Sequence, residues 1–489
     1  MRRWIWLLGL LVFVIVGTLW WSSRNAIRLE PLDGQRFAQM SETEQVEWLI
    51  EQILARSERT DPMENIPIIT VCLPFLRSIP FQPISPRHIE AIGIACVEYD
   101  LPHWLNFARR YMHQETDREH LMVYQAILQA RKGDWQAAER TVQKIRTDTI
   151  RVLGWAHLGR LYAEAGRSDA AQRSFDHARA IFLRPADPMH SLYLLNTLTL
   201  IISHSSVSER SETAAEFVRG LPDEWRASAV WRVSEYYRQR GDVGRLRAFI
   251  ALVPESSRRE VEMYLVRTLI EQGQVEHGLR LLARLGECRD VELAQIARAL
   301  HKRGRTQDAQ TFADALRTRL LQDGFLQGQL NRRAPDTLRL STPYGEVRVI
   351  LRFDYGTTHL LVQAYTEWGQ PEAAEQLIAA VPIGRFRVLQ RTNMAHAYHK
   401  IGQQAQARQH LERARTEGQG GARRIALKHR TPVGTSIEIG CAAAFCGEPA
   451  LALEVADTIP LSEQRDILGC MLRAYARRNA FWETLMGFP

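Results

Sequence analysis

The residues whose types and spacing could do chemistry in this chain are few, and each set lacks a component. His396 and His399 stand three apart, which on a helix puts both imidazoles on one face where they could share a metal ion. No third ligand stands at a matching spacing, so the pair reads as structural. Gly418, Gly420 and Gly421 form a glycine cluster, but a phosphate cradle follows a strand and ends in Gly-Lys-Ser/Thr, and this cluster follows a helical pattern and has no such ending. H-E-x-x-H and G-x-S-x-G are absent. Cys72, Cys96, Cys288, Cys441, Cys446 and Cys470 include no C-x-x-C and no Cys/His pair at zinc spacing, so buried thiols are expected. An enzyme or sensor site would have to lie in the insertion 325–356 near Asp354 and His359, where convergent polar residues are too few. The expectation is a non-catalytic protein with no cofactor and no metal.

Charge points the same way. Across 489 residues the formal net charge is +8, yet only Lys132, Lys144, Lys302, Lys400 and Lys428 are lysines, so the excess is arginine spread along the whole chain. A phosphate reader gathers its basic residues on one face. With 45% hydrophobic and 24% charged residues, the composition is that of a globular chain long enough to bury a core without disulfide or metal staples.

The N-terminus has a different character. Trp4 to Trp21 carries no charge, and 18 helical residues at ~1.5 Å each reach ~27 Å, close to the hydrocarbon thickness of a bilayer. Trp4 and Trp6 at one end and Trp20 and Trp21 at the other occupy the headgroup levels that indoles prefer. A cleaved signal would end in small residues, and this run ends in Leu19, Trp20 and Trp21. Residues 4–21 are therefore expected to be an uncleaved signal-anchor helix. Arg2 and Arg3 face Arg24, Arg28 and Arg36 across it, and the short N-terminal tail favours a cytoplasmic N-terminus with the body outside the cytoplasm.

Internal periodicity gives the elements that must position any site. Trp155, Leu158, Gly159 and Tyr162 are followed by Gly166, then Ala171, Phe175 and Ala178, with Pro185 soon after. The same frame recurs at Gly133, Gly166, Gly241, Gly273, Gly304, Gly369, Gly402 and Gly447, with several neighbours 31 to 33 residues apart. First-helix aromatics Tyr162, Tyr237, Tyr365, Tyr398 and Tyr475 keep register, the last in a final half-repeat. Leu221-Pro222, Val253-Pro254, Val381-Pro382 and Ile459-Pro460 close units, since proline cannot continue a helix. This pattern resembles the tetratricopeptide (TPR) repeat, with departures such as Leu246, Gly278 and Ala313. The resemblance implies an all-α, right-handed α-solenoid of antiparallel helix hairpins. Gly159 and Ala171 would let paired helices approach, and Trp155, Tyr162 and Phe175 would fill the space between neighbouring hairpins.

The chain then divides into an anchor (4–21), a juxtamembrane linker (22–40), an N-terminal helical capping region (41–118), TPR-like repeats (119–325), an insertion (326–356) and C-terminal repeats (357–489). Ser41 and Glu44 stand at capping-box positions of a helix running to Ser57. Alternating apolar residues from Leu338 to Leu351 around Pro343, Tyr344 and Gly345 predict a protruding β-hairpin. Residues 416–435 read as a basic loop carrying Arg423, Arg424, Lys428 and Arg430.

In TPR arrays the first helices form the inner wall. The position after the Gly159-type residue gives Ile127, Arg160, Glu235, Arg267, Arg298, Gln363 and His396, with His301 and Lys302 one turn beyond Arg298. The resemblance implies a mildly basic groove for other proteins, suited to an acidic segment or a C-terminal carboxylate. The expected function is a membrane-anchored scaffold or adaptor, similar to anchored TPR proteins that assemble envelope complexes. The alternative through 413–430 is binding of anionic membrane or nucleic acid, of which nucleic acid is the less favoured.

Overall fold

The computed structural model describes residues 32–56, 85–112, 114–182, 214–215, 218–219, 223–322, 336–351, 355–381, 384–425 and 431–476. Twenty-one helices account for most of them. The first are α1 (Gly34–Gln39), α2 (Glu42–Ala55), α3 (Pro86–Glu98), α4 (Pro102–Tyr111), α5 (Glu115–Arg131), α6 (Trp135–Gln143), α7 (Asp148–Glu164) and α8 (Ser168–Phe182). Then come α9 (Asp223–Gln239), α10 (Val243–Leu252), α11 (Glu255–Glu271), α12 (Val275–Leu285), β1 (Glu287–Arg289), α13 (Asp290–Lys302) and α14 (Thr306–Leu321). The rest are β2 (Asp336–Thr342), β3 (Gly345–Leu351), α15 (Tyr355–Glu367), α16 (Pro371–Ala380), α17 (Gly384–Lys400), α18 (Gln404–Ile425), α19 (Thr431–Phe445), α20 (Pro449–Asp457) and α21 (Leu461–Ala476).

From α3 to α20 the helices pack as consecutive antiparallel pairs. One turn geometry makes them. All eight glycines in register have positive φ, from 66° at Gly241 to 84° at Gly133. The residue after each donates its N–H to the carbonyl five positions earlier, as Arg167 does to Tyr162 at 2.8 Å and Gln370 to Tyr365 at 2.8 Å, satisfying a carbonyl of the helix's last turn. A ninth turn, between α3 and α4, has Asp100 in the left-handed conformation (φ 51°) and the same bond from Leu101 to Cys96 at 2.8 Å. Aspartate tolerates that geometry, so helices of the expected helical capping region form a hairpin without the glycine mark.

Small residues set the approach of the helices. A Cβ at Gly159 would stand 2.8 Å from the Phe175 ring within the α7/α8 pair, as the motif requires. Trp155 meets His177 of the same pair at 4.9 Å, so Trp155 and Phe175 hold their own hairpin together. Tyr162 does reach the preceding hairpin, stacking on Trp135 at 4.4 Å and donating to Glu139 at 2.7 Å.

The first helices of successive pairs touch in the order α9, α11, α13, α15, α17, α19, α21, and this row continues onto α3, α5 and α7. Described helices from the two halves of the sequence thus meet. No described helix follows α21; α2 packs on it instead. Tyr475 donates to Gln45 at 2.6 Å, and Arg56 donates to Gln464 at 2.6 Å. Phe37, 1% exposed, lies between Trp48 at 5.3 Å and Tyr475 at 6.4 Å. His88 of α3 bridges to Asp466 of α21 at 3.1 Å, over Gly469. The expected half-repeat helix α21 is thus covered by α2 and α3, both from the expected capping region. Ser41 and Glu44 form the expected capping box at the start of α2.

The β-hairpin forms as β2 and β3, antiparallel with Leu338 opposite Val349, but it does not protrude. β3 also pairs in parallel with β1, and Leu340, Val347, Val349 and Leu351 are buried against the neighbouring helices. The alternation was a buried face, with too little of the sheet left over to project. The expected loop at 416–435 is also corrected. α18 runs through Gly418, Gly420 and Gly421 to Ile425, and α19 begins at Thr431. The segment 4–21 lies outside the described residues, among which no helix is long and apolar enough to cross a membrane.

Candidate binding face

Where first helices stand side by side, their facing side chains interlock by charge. Arg267 on α11 donates to Glu271 one turn on at 3.1 Å and to Gln295 on α13 at 3.2 Å. Arg298 on α13 donates to Gln363 at 3.2 Å and Glu367 at 2.7 Å, both on α15, and Glu367 also meets Lys400 of α17 at 3.6 Å. Arg238 of α9 joins the same ladder through Glu235 and Glu271. Arg160, further along on α7, donates to Glu164 at 2.7 Å and is 11% exposed.

The structure therefore brings Arg267 and Arg298 together, leaves Arg160 apart, and gives every one of the three an acidic partner. Burial draws the Arg160 and Arg267 guanidinium pKa values downward, with Glu164 opposing at Arg160 and Glu271 at Arg267. Every arginine of the ladder is engaged, yet Arg238, Arg267, Arg298 and Lys400 share three carboxylates, Glu235, Glu271 and Glu367, so a small positive excess remains. The balancing glutamates were missed when residues were chosen one per helix. Their signal was present as the four-residue spacings Arg160/Glu164 and Arg267/Glu271.

Of the remaining expected residues, His301 stacks on Trp368 at 4.6 Å, and burial lowers its pKa, with Glu367 opposing. Lys302 is exposed and has no hydrogen bond or ion pair among the described residues; burial and then Arg298 and Lys400 lower its pKa. His396 is exposed, and His399 shares a hydrogen bond with Gln404 at 2.8 Å. Among the described residues no group of three or more His, Cys, Asp or Glu is placed to hold a metal ion. Arg423 and Arg424 fall in the last two turns of α18, and Lys428 and Arg430 lie outside the described residues. At the start of that segment Arg413 pairs with Glu375 at 3.2 Å and Arg415 with Glu454 at 2.8 Å, so these two charges are engaged. Of the insertion candidates, His359 contacts Gln363 at 3.2 Å, and Asp354 lies outside the described residues.

Beside the ladder, a cavity of about 240 Å³ opens between α9, α11 and α13. Trp231, Glu260, Tyr264, Arg267, Glu292 and Gln295 line it, with Met263 and Ile296 on the apolar side.

The cysteines divide differently from expectation. Cys96, Cys288 and Cys446 are buried thiols, with burial raising each pKa, to about 12 at Cys446. Cys441 and Cys470 form a disulfide between α19 and α21 with Cα atoms 5.2 Å apart. Their 29-residue separation carried no motif; only the pairing of two first helices brings them together. The chain matches no known protein-family model and no curated protein.

Proposed function

We propose that this chain is a membrane-anchored, non-catalytic scaffold: a TPR-like, right-handed solenoid that binds other proteins along the row of first helices. The observation carrying this reading is the ladder itself. Eight turns of one geometry set first helices side by side, and their polar side chains present a continuous surface with alternating guanidinium, amide and carboxylate groups. Such a surface is suited to reading an extended polypeptide by hydrogen bonds and charge over several helices at once. Its interleaved carboxylates support a mixed-charge segment over the purely acidic one that the arginines alone imply. The disulfide supports a body outside the cytoplasm, because such bonds persist in oxidising compartments.

The test is crosslinking of the full chain in its native membrane, followed by purification and identification of bound proteins, with wild type and the Arg267→Glu, Arg298→Glu double variant in parallel. A specific partner is expected from wild type, with recovery about tenfold or more lower from the variant, since both changes set like charges against Glu271 and Glu367. Equal recovery from a folded double variant would remove the row from the binding role. A reporter fused at Pro489 reads the orientation separately.

A further inference from the structure

In the cavity between α9, α11 and α13, one carboxylate has no answering charge of its own. Glu260 makes no hydrogen bond and no ion pair among the described residues, although burial raises its pKa and Arg289 opposes that rise. Arg289 is already taken by Glu292, through its Nε at 2.7 Å and its backbone N–H at 2.7 Å. The other cavity guanidinium, Arg267, is engaged by Glu271 and Gln295. The Tyr264 hydroxyl, mostly buried, also lacks a hydrogen-bond partner among the described residues. What the lining offers an incoming group is therefore one carboxylate, one phenolic oxygen, the ring of Tyr264, and that of Trp231, which already has the Arg232 guanidinium 5.6 Å from its centre.

We propose that this cavity receives the cationic side chain of an arginine or lysine from a polypeptide lying along the row of first helices. An ammonium or guanidinium suits each part. The carboxylate accepts charge-assisted hydrogen bonds, the phenolic oxygen accepts another, and aromatic faces attract cations. Met263 and Ile296 cover an aliphatic stem. An anionic group would find both guanidiniums occupied and two carboxylates facing it. At about 240 Å³ the space falls below the ~300–1,000 Å³ of small-molecule sites and fits a single side chain. The polypeptide as occupant rests on the scaffold reading; the cation chemistry does not.

The test uses the full chain in detergent micelles and isothermal titration with three probes. These are a capped five-residue alanine peptide with central arginine, the same peptide with central norleucine, and capped argininamide alone. The arginine peptide is expected to bind saturably and about tenfold or more tighter than the norleucine peptide, and Glu260→Gln to remove that preference. Because Glu260 bonds to none of the described residues, the variant should melt as wild type does. If it does not, Tyr264→Phe, which keeps the ring and loses only the oxygen, replaces it, with an expected loss of about threefold or more. Equal binding of the norleucine peptide, unchanged binding by the folded variant, or no saturation below about 10 mM overturns the proposal. Argininamide binding as tightly as the peptide overturns the polypeptide occupant. Normal probe binding without any crosslinked partner strikes the scaffold reading alone, and a partner without probe binding strikes this one alone.

Discussion

The α7/α8 hairpin and the α2/α21 pair use the same devices with opposite chain logic. Tyr162 of α7 donates to Glu139 of the preceding hairpin, 23 residues away; Tyr475 of α21 donates to Gln45 of α2, 430 residues away. Gly159 admits a ring from its own hairpin, whereas Gly469 lies under His88 from the far end of the sequence. The first pair is joined by a turn and a short connection, and the second only by side-chain packing and hydrogen bonds. A hairpin in this architecture is thus defined by the face it completes, and chain continuity between its helices is dispensable.

The largest expected effect breaks the discontinuous pair. Phe37→Ala removes a ring that is 1% exposed and should destabilise by about 3–5 kcal/mol, measured by urea unfolding. Hydrogen exchange should accelerate first in α2 and α21, because no turn holds them together. Exchange accelerating equally in α7 and α8 would erase the distinction between the pairs.

Acid acts on the continuous side. His157 on α7 is buried, and burial, with Arg160 and His120, lowers its pKa from 6.5 to about 3; burial lowers that of His120 to about 4. Both stay neutral in the folded chain while the unfolded chain gains protons below about pH 6.5. Stability is therefore fully present above that pH and lost as pH falls through the window towards 4. At about 1.4 kcal/mol per pH unit, His157 alone accounts for about 2 kcal/mol between pH 6.5 and 5. His157→Gln should flatten the pH dependence of the urea midpoint by that amount, and an unchanged slope would mean that the imidazole is protonated in the fold.

The smallest effect sharpens the comparison. At Gly166 an added Cβ would meet nothing within 4 Å, so Gly166→Ala isolates the left-handed backbone. A loss of about 1 kcal/mol is expected by thermal unfolding, without faster exchange in α2 or α21. No loss would mean that the turn relaxes freely.

Legibility in the sequence followed range. Glycine register, apolar period and the Ser41/Glu44 box are local, and each names its own geometry within about ten residues. The Asp100 turn was hidden because a less usual residue occupies the left-handed position. The ladder was half legible, since arginines were read by position and the glutamates one turn on were not. The docking of β3 on β1, the Cys441–Cys470 bond and the α2/α21 pair join segments from 29 to 430 residues apart. No local propensity encodes such meetings. The unpaired state of Glu260 was equally invisible, because it depends on Arg289 having chosen Glu292.

The α2/α21 pair also sets a clock for the molecule. During synthesis α2 is made long before α21, so the contacts of Gln45 and Phe37 with Tyr475 wait while the intervening chain is made. Contacts of that range form late, after nearer pairs have shortened the loop to be closed. Closure is then a late step of folding: a chain that lacks α21 leaves Phe37 and Gln45 without their Tyr475 contacts.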